Sequence, residues 1–225
     1  QDAYLELITV ENPDPVDRTS VDVIAPCVAA GGGVPMLALA THDATASHAW
    51  LAAAGHDVDA PLTWNRPADT PDGPRTAEFT TLFSRDELLP GFVAFFCQHH
   101  TPEFVLHPDW QRHENGAQRL VGIERSTSRD LGAIERQLRE FLSENAVTPE
   151  PDDRLRVRLG SHVLSYRRNP TDPTVRICIG MESIAALEAR NSGRVQRIDA
   201  HSVEIALASA GHVSLRFTDL KTDQS

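Results

Sequence analysis

Apolar positions recur along this chain with two periods. Leu131, Ile134, Leu138, Phe141 and Leu142 are spaced three, four, three and one apart, the stripe of an amphipathic helix with period near 3.6. Val203, Ile205 and Leu207 instead alternate with Glu204 and Ala206, as a strand buried on one face requires. Read together, the two periods predict one unit three times over: a strand, a polar turn and an amphipathic helix. The first copy is a strand over Met36 to Thr41, Asp43 as N-cap, and a helix over Ala44 to Ala54 closed by Gly55. The second has a strand over Arg119 to Glu124, a cap region over Ser126 to Ser128, and a helix over Arg129 to Asn145. The third has a strand over Val175 to Ile179 and a helix over Met181 to Arg190 closed by Gly193.

Turn-punctuated β segments follow each copy. After the first come Leu62 to Arg66, a Pro71-Asp72-Gly73-Pro74 turn, Thr76 to Phe83, and Phe92 to His100. After the second come Leu155 to Leu159 and Val163 to Arg167, parted by Gly160-Ser161. After the third come Val195 to Asp199, Val203 to Leu207 and Val213 to Phe217, the last two joined through Ser209-Ala210-Gly211. Breakers between units fall at Asn12 to Arg18, His107 to Asn115, Thr148 to Asp153 and Asn169 to Pro173. The expected fold class is α+β: repeated β-α-β-β(-β) modules forming curved mixed sheets with helices on the outside. Two domains are expected, residues 1–116 and residues 117–225. Tyr4 to Val10 is rich in strand formers and reads as the middle of a sheet, so the expectation is either a fold that has lost its beginning or upstream residues absent from this sequence. Other residues or a neighbouring chain would then cover that edge.

Charge and composition narrow the classes. With 21 basic and 32 acidic residues the formal charge is −11, which repels phosphate backbones and anionic lipid heads, so nucleic acid and membrane are poor partners. No apolar run reaches 18 residues; the nearest, over Val21 to Leu39, is broken by Pro26, Gly31 to Gly33 and Pro35. Cys27, Cys97 and Cys178 are too scattered for a zinc ribbon or a disulfide framework, which points to a reducing cytoplasm. Lys221 is the single lysine, which leaves no Schiff-base candidate in the core. Gly31-Gly32-Gly33 lacks the Lys and Ser/Thr of a phosphate loop and precedes a strand, and no serine sits in a GxSxG elbow.

Several stretches resemble the glyoxalase-like domains of the vicinal oxygen chelate superfamily. Tyr4-Leu5-Glu6-Leu7-Ile8 is similar to the last strand of a first module, and Leu37-Ala38-Leu39-Ala40-Thr41-His42-Asp43 to the opening of a second. Phe95-Phe96-Cys97-Gln98-His99 resembles that module's final strand, and His107-Pro108-Asp109-Trp110 through His113-Glu114-Asn115-Gly116-Ala117 the connection to a further pair. The resemblance covers Gln1 to about Leu142. It implies paired βαβββ modules and a divalent metal on the concave sheet face, held by a His or Gln and a Glu from each module.

Carried onto this chain, the resemblance makes Glu6, Gln98 and His100 the candidate metal ligands. The competing readings are an ion-paired sheet carboxylate for Glu6 and polar residues at a strand end for Gln98 and His100. Alternation turns His99 to the opposite face from both. Met36 stands where a metal enzyme of this type would carry His, and a thioether is a poor ligand for hard or borderline metals. Arg66 is a candidate clamp for a carboxylate. His107, Trp110 and His113 are candidates for a loop that lids or stacks on a ligand, against the alternative that Trp110 plugs a seam. Cys97, beside Phe95 and Phe96, reads as an inert core thiol. Two functions remain in view: a small-molecule-binding module, and a divalent-metal-dependent lyase, isomerase or dioxygenase acting on a small vicinal-oxygen substrate. A homo-oligomer in which the pocket has been dismantled is the third class. Protein purified without added metal is expected to hold little or no tightly bound transition metal.

Overall fold

The computed structural model describes residues 3–11, 19–191, 193–207 and 212–220. The chain divides into two compact units, Val34–Gln111 and Gln1–Gly33 with Arg112–Ser225. In the smaller unit the elements are β1 (Met36–Ala40), α2 (Ala44–Ala53), β2 (Leu62–Thr70), β3 (Gly73–Phe83) and β4 (Val93–His99), after a short α1 (Ala25–Ala29) that belongs to the other unit. Asp43 caps α2 by accepting from Ala46 N at 2.9 Å. At the other end Gly55, with φ +88°, lets His56 N reach Leu51 O and Gly55 N reach Ala52 O, the paired bonds of a left-handed helix stop. Eight of the ten residues between these signals are Ala, Ser, Thr or His around a single buried Leu51, so propensity and caps, more than a broad apolar stripe, make this helix. The β2 to β3 hairpin turns on Pro71-Asp72, with Thr70 opposite Gly73 at φ +102°.

Strand order in the smaller unit is β1-β4-β3-β2, with β1 parallel to β4 and the other pairs antiparallel. The same order appears twice in the larger unit. There β5 (Ala117–Thr127), α3 (Leu131–Phe141), β6 (Val147–Glu150), β7 (Arg154–Leu159) and β8 (His162–Arg168) form one module. The next is β9 (Val175–Met181), α4 (Ile184–Arg190), β10 (Gln196–Arg197), β11 (Ser202–Ala206) and β12 (Val213–Asp219). Their first strands, β5 and β9, pair antiparallel and fuse the two modules into an eight-stranded sheet of order β10-β11-β12-β9-β5-β8-β7-β6. The three-fold βαβββ rhythm expected from the sequence is the architecture.

Helices cover one face of each sheet. Ile134 and Leu138 of α3 are fully buried, as are Leu164, Tyr166 and Val157 beneath that helix. Ile184 and Leu187 of α4 pack with Met181, Val203 and Phe217. Asp219 Oδ1, at the end of β12, accepts from Ile184 N at 2.8 Å and satisfies the first turn of α4.

Some expectations need correction. Tyr4 to Val10 makes no strand pairing among the described residues, and Leu7 is 99% exposed; strand-forming side chains do not make a strand without a partner for the backbone. The second helix starts at Leu131, because Ser126 and Thr127 continue β5 and Asp130 caps by accepting from Ala133 N; it ends at Phe141, before a 3-10 turn over Glu144–Ala146. The third starts at Ile184, three residues later than the period suggests, because β9 runs on to Met181. Val147–Glu150 is a strand where a breaker was expected; its Pro149 is tolerated because β6 is a sheet edge. Ser20–Ile24 and Ala25–Ala29 are helical, which the broken apolar run did not predict. The breaker at Asn12 to Arg18 and the Ser209-Ala210-Gly211 connection lie outside the described residues.

Candidate functional site

In the smaller unit the two sheet faces carry different chemistry. On the side of α2, Gln98 Oε1 accepts from Ala44 N at 3.0 Å. His100 Nε2 is hydrogen bonded to Thr80 Oγ1 at 2.8 Å, and Thr80 Oγ1 in turn to Thr63 Oγ1 at 2.8 Å. The bond from Gln98 repeats that of Asp219 in the third module. One step beyond the Ala40↔Cys97 register, Gln98 stands opposite Thr41, three residues before Ala44; Asp219 stands opposite Met181, three residues before Ile184. In both modules the end of the last strand therefore satisfies the first amide of the helix.

The opposite face is aromatic. Trp64, opposite Phe79 in register, stacks on it with centroids 4.7 Å apart, and Trp64 Nε1 donates to Thr81 Oγ1 at 3.1 Å. His99, opposite Phe79 on the other side, meets its edge at 5.0 Å. The Arg66 guanidinium lies over the same ring, 5.7 Å from its centroid. Phe79 is buried, whereas Trp64 is 39% exposed. Ala68, Ala77 and Cys97 continue this face, and Phe95, Phe104 and Val105 pack onto it. Its apolar setting agrees with Cys97 as a core thiol.

The sequence candidates are thus distributed as follows. Arg66 joins the aromatic face. His107 and Trp110 of the same unit sit together, rings 5.4 Å apart, with Trp110 40% exposed and His107 Nδ1 accepting from Asp109 N at 3.2 Å. His113 is exposed and belongs to the larger unit. Glu6 also belongs there and is exposed. A catalytic metal needs about three convergent donors with free lone pairs. Gln98 Oε1 is taken up by the first amide of α2 and His100 Nε2 by Thr80 Oγ1, and among the described residues no three His, Cys, Asp or Glu side chains come together as a metal-binding group.

A second constellation, which the sequence did not reveal, lies on the face of the eight-stranded sheet away from α3 and α4. Glu124 of β5 is 4% exposed and is surrounded by Arg154 at 3.2 Å, Arg176 at 3.5 Å and Arg216 at 3.8 Å. Arg216 also meets Glu204 at 2.9 Å, and Arg176 meets Asp172 at 2.7 Å. Three guanidiniums thus face three carboxylates, and the cluster neutralises itself. Burial alone would raise the carboxyls of Asp172 and Glu204, but hydrogen bonds from Thr174 and Arg176 on the one, and the hydrogen bonds and charge of Arg216 with the charge of Arg176 on the other, hold both below their usual range. Burial pushes the neighbouring Cys178 thiol up to about 11, so it is no nucleophile at neutral pH. No local pattern in the sequence announces this cluster, because Glu124 and Arg176 alone lie 52 positions apart.

The sequence profile of the glyoxalase-like domain family matches residues 1–142, more than half of the chain. The chain belongs to this family. Among solved structures, a crystal structure of a hypothetical protein from Staphylococcus aureus is similar at a TM-score of 0.56 and 11% identity, over 82% of this chain. The match spans 66% of that protein's length, and the likeness is one of fold. No curated protein sequence matches. Among the described residues no helix is long and apolar enough to cross a membrane.

Proposed function

We propose that this glyoxalase-like protein binds a small planar organic anion against the aromatic face of its four-stranded sheet. The observation that carries the reading is Arg66: in a chain with 32 acidic residues it has no carboxylate partner among the described residues, and its guanidinium is laid on the ring of Phe79 instead. A guanidinium over an aromatic ring, on the same sheet face as an exposed indole, offers a bidentate donor for a carboxylate and a stacking surface for the ring that bears it. His99 adds an imidazole at the edge of the same surface. Binding, without an assigned reaction, is what these groups support.

The test is a titration followed by tryptophan fluorescence in a chain with Trp50→Phe and Trp110→Phe, so that Trp64 alone reports. Phenylacetate should quench, and its neutral amide should bind at least about tenfold more weakly, as expected when a charge-assisted hydrogen bond is lost. Arg66→Gln should remove that preference. Acid and amide acting alike, or Arg66→Gln leaving the titration unchanged, would overturn the reading.

A further inference from the structure

The aromatic face of the four-stranded sheet continues past Trp64 and changes character as it does. Alternation carries it along β3 from Phe79 through Thr81 to Phe83, and register sets Leu62 and Cys97 on either side of Thr81 and Phe95 beside Phe83. Phe83 and Phe95 stack with centroids 4.8 Å apart, and both are partly exposed. Leu62 is 65% exposed, more than any other large apolar side chain described in the smaller unit. Thr81 is buried and its Oγ1 already accepts from Trp64 Nε1, so what this stretch presents outward is almost entirely carbon. Charge returns two residues beyond Phe83, where Arg85 pairs with Asp59 at 2.6 Å.

Arg66 shares this face, four positions along β2 from Leu62. Along β3 the row of Phe79 and the row of Phe83 are also four positions apart, about 13 Å of extended strand. A single guanidinium at one end, an indole and a phenyl ring next to it, and then only apolar side chains form a surface complementary to one kind of molecule, a monoanion with a long apolar body. We propose that the anion held at Arg66 is an aryl carboxylate with an apolar tail, and that Leu62, Phe83 and Phe95 are the residues that select the tail. This rests on the reading of Arg66 given above and adds the class of ligand. With the carboxylate on Arg66 and the ring on Trp64 and Phe79, a tail of about eight methylenes spans the distance to Phe83 and Phe95. A shorter acid leaves Leu62 and the second aromatic pair in water, and a second charge at the far end would lose its hydration against them.

The experiment uses the chain in which Trp64 alone reports, titrated with phenylacetate, 4-butylphenylacetate and 4-octylphenylacetate. An alkyl chain lying on an open face buries about half its surface, so each step should tighten binding, with 4-octylphenylacetate at least about thirtyfold tighter than phenylacetate. Leu62→Gln, at an exposed position, and Phe83→Ala should each reduce that ratio at least about threefold. If Phe83→Ala fails to fold, Leu62→Gln decides. Should none of the three acids quench Trp64, the reading of Arg66 falls and this inference falls with it. Should phenylacetate quench and the three acids bind equally, or should the octyl gain persist undiminished in the folded variants, the reading of Arg66 stands and the tail subsite is overturned.

Discussion

Glu124 shows how much a single side chain can commit. Deleting one partner of a buried charge cluster costs more than the cluster contributes as a whole, because the remaining charges stay desolvated and unpaired. Arg176 and Arg216 are 14% and 19% exposed at the side chain, so Glu124→Ala should lower stability by about 3 kcal/mol in urea denaturation. A loss within about 0.5 kcal/mol would show the arginines re-paired with Glu204 and Asp172. Gly122, two positions earlier on β5, is constrained for a different reason. A Cβ there would sit 1.9 Å from Val163 O, a backbone atom of β8, in the stretch where the β5 to β9 register shifts. Gly122→Ala must therefore part β5 from β8, and a destabilisation of at least about 2 kcal/mol by the same measurement is expected.

For the elements, the recurring device is a helix whose first amide is satisfied by the end of the last strand of its own module. Gln98 does this for α2 and Asp219 for α4. Gln98→Ala should cost about 1 kcal/mol and should speed hydrogen exchange in the first turn of α2, the ordinary effect of an unsatisfied helix terminus. No change at those amides would mean that the Gln98 side chain serves something other than the helix. Local signals were legible here. Asp43, Gly55 and the alternation in β11 each act within a few residues, and the structure follows them. Signals failed where an element depends on its partner: Tyr4 to Val10 has the residues of a strand and forms no strand pairing among the described residues, whereas Val147–Glu150 has poor strand chemistry and pairs with β7.

Across the whole molecule, pH stability follows from the paired carboxylates. Asp172, Glu204 and Asp199 are all held below their ordinary values of 3.8, 4.5 and 3.8, Asp199 chiefly by the hydroxyl of Ser202. A carboxyl whose folded pKa is depressed stabilises the fold above its unfolded pKa, and that contribution disappears as pH falls through the folded value. Stability from these three should be level from pH 7 down to about 5 and decline below about 4.5, read as the urea midpoint against pH. Relief of the self-repulsion of a chain at −11 acts in the opposite direction over the same range, so Glu204→Gln should flatten the decline. A midpoint that rises steadily from pH 5 to pH 3 would show that net charge outweighs the paired groups.

The sequence by itself determined the module. Period, caps and turns are short-range, and they recur three times in the same order, so α+β with repeated βαβββ units was readable, as was the family resemblance that the profile match bears out. The tertiary structure alone decided which side chains share a face. Alternation placed His99 opposite Gln98 and His100, but only the packing of α2 shows that the Gln98 side chain reaches the helix while His99 joins Phe79, Trp64 and Arg66 on the other side. Likewise Glu124 meets Arg176 and Arg216 because β5 pairs with β9 and β9 with β12. Strand pairing is set by the burial of a whole sheet, which no window of a few residues contains.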